Sequence, residues 1–523
     1  MKIKFVIFFI LFQLANIFEM GAQSYWQKTY DIPASNNEPK FTAMQILDDN
    51  SVIIFGIDNY IMTQKFDLII TRLDSAGNQM FAKKIIIPGY NIPLVLNVLR
   101  DGNNLYVSLY IISTSISAKS EQGVAKFDTW GNLIWIRKIK DLQQHFQPQD
   151  IGFGFNTNQI VVVGSTHNDG IDSTYYPVLV VLDTSGNITH SFISNQNALG
   201  NGFVIIDNAH AALVINHLYK DSLGNERYAG IIKIDSGWNV VSHLVLKDTS
   251  GLLIHGNASK FANNKFAFTG SILKKSNMKS KPFLLELDAN LNVTHYANYS
   301  TPNYYSGEKI INLDTGGYAF MADLILFMID TNGTCVKAER YINQSGQTDL
   351  YDFHFDAHKQ LHLVGQSGQW FFDAEAYYVK TDTMLNSGCF QQSLNFATTY
   401  ESLITAYIPS ALSPYNISLD STYSTGQITL VDTNWCYNTV SMAQDYYHGS
   451  HFTISPNPAT NELFILNNSR YTQFKIYDLT GRIYRYITCT QNTNNAIDIS
   501  DLPPGIYLIT THDIKLNFKF IKI

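Results

Sequence analysis

Apolar residues run through most of the chain in short stretches broken by clusters of Asp, Asn, Gly and Ser, and nowhere do they keep the period of an amphipathic helix. Such stretches are strands. One phrase, an apolar strand ending in Asp and followed by a Gly/Asn turn, recurs as "TRLDSAGN" at Asp74, "AKFDTWGN" at Asp128, "VVLDTSGN" at Asp183, "IKIDSGWN" at Asp235, "LELDANLN" at Asp288, "FMIDTNGT" at Asp330 and "VKTDTMLN" at Asp382. The intervals are 54, 55, 52, 53, 42 and 52 residues, so one unit is laid down seven times.

Each unit also carries a hairpin with an Asp/Asn/Gly-rich turn and a strongly apolar second strand, among them "DDNSVIIFG", "NTNQIVVVG" and "DAHKQLHLVG". A fourth strand follows each Asp-turn, as at Ile134–Ile139. Seven four-stranded units predict an all-β fold, a seven-bladed β-propeller whose neighbouring blades bury each other's faces; an open β-solenoid is the weaker alternative, because fifty residues is long for one coil. Tyr25–Tyr30 resembles a fourth strand placed ahead of the first hairpin and is expected to pair with the last blade, although Cys389–Gln392 could fill the same place. In this topology the short, uniform turns share one face. The long, dissimilar loops, such as "YIISTSISAKSEQG" and "GQSGQWFFDAEAYY", share the other, which is the expected ligand face. The sixth unit lacks its long loop at "MADLIL".

Composition excludes some partners. The chain of 523 residues is 15% charged and 45% apolar, which many short strands packed face to face explain without a membrane. Its formal charge of −7 comes without the concentrated Lys/Arg patch that a phosphate-backbone binder needs, so no nucleic acid is expected. Lys2 and Lys4 precede the apolar run Phe5–Leu14, and Gly21-Ala22 offers small residues, the shape of a secretory signal peptide over residues 1–22. No later stretch is long enough for a transmembrane segment, so the expected mature chain is exported and soluble. The cysteines at 335, 389, 436 and 489 form no C-x-x-C. Export permits disulfides, and Cys389 with Cys436 is the preferred pair of the possible connectivities.

Two resemblances follow. Lys126-Phe127-Asp128, Gly131-Asn132 and Trp135 resemble the apolar-Lys-apolar-Asp-x-x-Gly-Asn-x-x-Trp phrase of extracellular bacterial propellers, which names no ligand. Residues 391–450 contain no Lys or Arg and are rich in Ser, Thr, Tyr and Asn, which predicts an irregular extension and linker over 393–450, after a propeller over 23–392. From His451 the pattern becomes that of a compact all-β module. Pro456-Asn457-Pro458, "YDLTGR" containing Gly481, "LPPGIY" containing Gly505, and Lys519 with Lys522 occur there in order. On these motifs residues 451–523 are similar to the type A C-terminal sorting domain of the type IX secretion system, with Ser455 where the family usually has an aromatic residue. The resemblance implies an immunoglobulin-like β-sandwich that the type IX secretion machinery reads as an export address at the outer membrane. The cargo of such a module is released or held at the cell surface. The module carries seven Lys/Arg against five Asp/Glu, so the acid excess lies in the part it delivers.

Motifs that carry chemistry are few. His354, His358 and His362 would share one face of a helix, but they fall on a strand, a turn and a strand, so no metal is expected there. Asp330-Thr331-Asn332-Gly333 lacks the remaining ligands of a calcium loop. There is no H-E-x-x-H, no G-x-S-x-G and no phosphate-cradling Gly-Lys pair, so no cofactor and no catalytic residue is assigned. The positive sign is aromatic: Tyr175, Tyr176, Tyr304, Tyr305, Trp370 and Phe371 fall on expected rim loops, where rings suit sugar or peptide ligands. The expectation is a secreted or surface-held binding or adhesion module for a glycan or protein ligand. The alternative is a hydrolase or lyase acting on polysaccharide or peptide with acids drawn from different blades on the long-loop face. A surface protein with a purely structural role is the third reading.

Overall fold

The computed structural model describes residues 24–439 and 452–522, apart from 33–36, 61–64, 115–119, 141–144, 168–173, 222–223, 249–251, 261–264, 274–279, 301–306, 315, 343–347, 370–371, 389, 401–402, 421, 429, 456–458, 468–472, 479–481, 491–492 and 512–516. The expected signal peptide lies outside them. The described residues are all-β, and no helix among them is long and apolar enough to cross a membrane. They fall into two compact units, Ser24–Asn438 and the chain from Thr439 onward.

The first unit contains seven five-stranded antiparallel sheets. In the first, Asn37–Ile46, Val52–Tyr60, Lys65–Leu73 and Gln79–Ile86 follow one another as a meander. Five further sheets repeat it, from Tyr90–Asp101 to Leu133–Lys140, His145–Phe153 to Ile188–Ser194, Ala198–Ile205 to Val240–Asp248, Leu252–Lys260 to Val293–Ser300, and Gly307–Asn312 to Cys335–Tyr341. The seventh has only three strands of its own, Thr348–Phe355, Leu361–Gln369 and Phe372–Lys380; the fourth is the N-terminal strand Ser24–Asp31, which pairs Trp26 with Lys380 and Tyr30 with Ala376. As the sequence suggests, the sixth sheet has lost a loop: Asp323-Leu324 alone joins Tyr318–Ala322 to Ile325–Ile329.

Each pair of successive sheets shares an apolar cluster, and so do the last and the first, where Trp26, Val364 and Tyr378 pack with Phe41, Met44 and Ile54. The first strands of neighbouring sheets also touch one another all the way round, Thr348–Phe355 against Asn37–Ile46 included.

The repeated phrase builds these junctions. Asp128 accepts from the backbone N–H groups of Trp130 and Asn132 at 2.9 and 2.8 Å, and the Asn132 side chain donates to its other carboxylate oxygen at 2.7 Å. The position three after the Asp is left-handed in every unit: Gly77, Gly131, Gly186, Trp238, Leu291, Gly333 and Leu385. Its occupant is matched to the preceding sheet. At Gly131, Gly186 and Gly333 a ring of the preceding sheet's fourth strand lies where a side chain would stand: a Cβ would be 2.6 Å from Phe81, 3.1 Å from Trp135 and, at Gly333, against His295. Where the strand presents His190, Ser242 or Lys337 instead, the buried Trp238, Leu291 or Leu385 fills the space. The basic residue two before the Asp crosses the same junction, with Arg72, Lys126, Lys233 and Lys380 donating to the carbonyls of Thr129, Thr184, Ala289 and Ser75. Lys380 thereby ties the last sheet to the first.

The extension is not irregular. From Gln391 the chain visits the sheets in reverse and adds one short strand to the outer edge of each. Gln391–Leu394 joins the sixth sheet, Ala397–Tyr400 the fifth, Leu403–Tyr407 the fourth, Leu412–Pro414 the third, Ser418–Asp420 the second and Ser424–Gln427 the first. Val431–Thr439 then lies beside Ser24–Asp31 in the seventh. Sequence reasoning missed these strands because they are only three to five residues long in six of the seven sheets and form through backbone pairing, which leaves no periodic apolar signal. One side chain anchors the belt by charge: Asp420 lies 2.8 Å from the buried Lys138 and 3.2 Å from Lys140.

The second unit contains a three-stranded sheet, Phe452–Ser455, Glu462–Asn467 and Thr493–Asp498, and a four-stranded one, Ile483–Thr488, Gln473–Asp478, Gly505–Thr511 and Asn517–Lys522. Leu463, Ile465 and Ile497 of the first bury against Phe474, Ile476, Ile509 and Phe520 of the second. The Asp-turn recurs at Asp478, which accepts from the Arg482 N–H at 3.1 Å.

Candidate binding grooves

The inner edge of the sheets is polar and closely paired. A bulge in Thr348–Phe355 places Asp352 where one oxygen accepts from the Met44 N–H of the first sheet and the other from the Phe353 N–H, both at 2.8 Å. Lys309 of the sixth sheet forms an ion pair with it, and His354 Nε2 lies 3.6 Å away. Burial pushes this carboxyl up, but Lys309 and His354 outweigh burial and hold it below its ordinary range. Asp150, in a bulge of the third sheet, accepts from the Asn97 side chain at 2.9 Å, and burial raises its carboxyl to about 6. Both acids are structural in their contacts.

In the fourth sheet the buried His217 and His243 meet Nε2 to Nε2 at 2.9 Å, one ring donating to the other, over Gly230, which has no side chain to separate them. Burial holds both imidazoles well below their ordinary 6.5. Below that pH the unfolded chain takes up protons the folded pair refuses, so stability should fall as pH drops from 7 toward 4.5. Urea titrations of the full chain at both pH values should lose about 1 to 3 kcal/mol more in the wild type than in His243→Phe; equal losses would rule the pair out as the cause.

The exposed large apolar side chains described within residues 24–390 are Met80, Trp130, Ile134, Val241, Val336 and Met384, and each stands two or six residues after a turn Asp. The side of the short turns thus carries apolar groups exposed to solvent. Two grooves open beside it. The larger, about 650 Å³, lies between the sixth and seventh sheets, with Leu313, Met328, Phe355 and Leu385 as an apolar floor and the 63%- and 67%-exposed Val336 and Met384 at its lip. Of the charged groups that line it, Lys337 donates to the Met384 carbonyl and lies 3.2 Å from Glu339, Asp356 holds the N–H groups of His358 and Gln360, and Asp314 and Lys359 are exposed. The smaller, about 550 Å³, lies between the first and second sheets. A third cavity of about 390 Å³ opens on the long-loop side near Tyr90 and Thr114.

Of the aromatic residues singled out in the sequence, Tyr175 and Tyr176 are half-buried, and the Tyr175 ring lies 4.7 Å from His167, itself stacked on His145 at 5.1 Å. Tyr304, Tyr305, Trp370 and Phe371 lie outside the described residues, as do Pro456, Asn457, Pro458, Gly481 and Cys389. Cys436 belongs to the strand Val431–Thr439, while burial pushes the thiols of Cys335 and Cys489 up to about 11. His354 and His362 pair across their hairpin but keep separate partners, Asp352 and Asp356. Gly505 pairs with Lys522 at the end of the second unit's larger sheet, and Lys522 bridges in parallel to Ala459.

No curated protein matches the chain by sequence. Among solved structures it is similar to PorZ, an essential bacterial surface component of the type IX secretion system of Porphyromonas gingivalis, at 9% identity and a TM-score of 0.27 over 92% of this chain and 81% of that one. A likeness of that size says nothing about what this chain does. Residues 453–522 match the secretion system C-terminal sorting domain family, the segment that carries the Gly505 and Lys522 motifs on paired strands. The second unit is therefore a secretion system C-terminal sorting domain, and the chain that bears it is a type IX secretion cargo, secreted or displayed at the cell surface.

Proposed function

We propose that the delivered part is a seven-bladed β-propeller, that the sorting domain is an immunoglobulin-like sandwich, and that the propeller serves outside the cell as a binding or adhesion module. Seven meanders joined by seven apolar clusters, one of them between the last and the first, support the propeller. Two sheets packed on one core support the sandwich. The observation that carries the binding role is the groove of about 650 Å³ between the sixth and seventh sheets. Its floor is apolar, and two of the charges that line it, Lys337 and Asp356, are held by the chain itself, an arrangement that offers shape and apolar contact.

The test is to probe glycan and peptide arrays with the full chain while assaying the same probes for cleavage. Binding without turnover is expected, weakened about tenfold or more by Met384→Asp, which puts a charge at the apolar lip. Cleaved products would replace this reading with the hydrolase or lyase one.

A further inference from the structure

We infer that the second groove, between the first and second sheets, is a carbohydrate site that the extension completes. This inference is independent of the larger groove. Three elements build its walls: Lys83 from the fourth strand of the first sheet, Gly131 and Asn132 from the Asp-turn of the second, and Tyr423, Thr425 and Gly426 from the extension. The volume, about 550 Å³, is that of a small-ligand cleft.

The chemistry of the lining fits a sugar chain. Tyr423, which lines the cleft, is 42% exposed. A flat ring accessible to solvent in a cleft suits the apolar face of a pyranose ring. The hydroxyls of Tyr423 and Thr425 have no partner in the protein among the described residues, so both are available to a ligand hydroxyl. Lys83 donates to the Trp130 carbonyl at 2.8 Å and to Asn132 Oδ1 at 2.7 Å, which fixes its ammonium at the groove and leaves one of its three N–H groups over. No carboxylate lines the cleft, so its only charge is positive. That charge favours a neutral or acidic oligosaccharide over a basic one. Ile85 and Leu133 place an apolar strip beside the hydroxyls and the ammonium, a mixture that suits the two-sided surface of a sugar ring and that a purely apolar occupant would leave half unused.

The floor also supplies a clean test. A Cβ on Gly426 would meet nothing within 4 Å, so a large side chain there fills the groove without disturbing the sheet. Full chain should be titrated calorimetrically with cellohexaose, chitohexaose, oligogalacturonate and alginate oligosaccharides. At least one should bind, and Gly426→Trp should abolish that binding while leaving the melting temperature unchanged. Tyr423→Ala should weaken it about tenfold, and Tyr423→Phe, which keeps the ring, by no more than about threefold. Lys83→Met should weaken the acidic sugars more than the neutral ones. Failure of all four to bind, or binding that Gly426→Trp leaves intact, would overturn the assignment, as would peptide-array binding lost in Gly426→Trp. Binding at the larger groove is reported separately by Met384→Asp, so either assignment can fail alone.

Discussion

Replacing Asp352 by alanine should cost roughly 3–5 kcal/mol of unfolding free energy, the range found when one partner of a buried ion pair is removed. This carboxylate joins three consecutive sheets: Lys309 reaches it from the sixth, it stands in the seventh, and it accepts from the Met44 N–H of the first. Without it the Lys309 ammonium loses its counter-charge, keeping His354 Nε2 at 3.1 Å, and two backbone N–H groups lose their acceptor. Asp352→Asn separates charge from hydrogen bonding, because its amide oxygen can still accept from one N–H, and should fall between the wild type and alanine. The sign of the pH dependence is fixed as well. A carboxyl held below its ordinary 3.8 contributes stability that is present above that value and is lost as pH falls through the folded-state value. The gap between wild type and Asp352→Asn should therefore be full at pH 7 and close under strong acid. Urea denaturation of the full chain followed by tryptophan fluorescence measures this, and a loss below about 1 kcal/mol for the alanine variant at pH 7 would mean the seam does not depend on this contact.

The sequence made the local parts of this architecture legible and left the long-range parts hidden. The Asp-turns could be read because the clamp is confined to five residues: Asp128, the N–H groups of Trp130 and Asn132, and the Asn132 amide all lie in one short phrase. The N-terminal strand could be placed because Tyr25–Tyr30 repeats the fourth-strand pattern that every unit needs. The purpose of the glycines was not visible from any one unit. Gly131 is small because Phe81, fifty residues earlier, lies where its Cβ would be, whereas Trp238 packs near His190 with its ring centre 6.3 Å away. The belt escaped notice for a related reason: its partners are strand edges, which accept almost any short sequence without Pro at a donor position. Lys309, Asp352 and Met44 are likewise strangers in the sequence and neighbours only once the ring of contacts is assembled.

The side of the short turns has features that the sequence did not advertise. Among the described residues of 24–390, the exposed large apolar side chains flank the short turns, and Ile404, Tyr407 and Tyr423 add others on the extension. The positions beside the turns follow from the turn itself. Six residues after the Asp the fourth strand bulges in the first six sheets, which turns Met80, Ile134, Val241 and Val336 outward, while Thr189 and Thr294 at the equivalent places bond back to the third-strand carbonyls of Val181 and Glu286. A repeat can thus keep its clamp unchanged and vary its surface at a single bulged position.

The sorting domain decides where this machinery works. It forms a compact unit with its own core of Phe474, Ile476, Ile509 and Phe520, so it can be removed at 452–522 without cutting into any of the seven sheets. In a host that carries the type IX system, cells expressing the full chain and cells expressing the chain lacking 452–522 should be fractionated into periplasm, outer surface and medium. The full chain should reach the surface or the medium, and the truncated chain should remain folded in the periplasm. Arrival of the truncated chain outside the cell at the level of the full chain would contradict the claim that this domain is the export address.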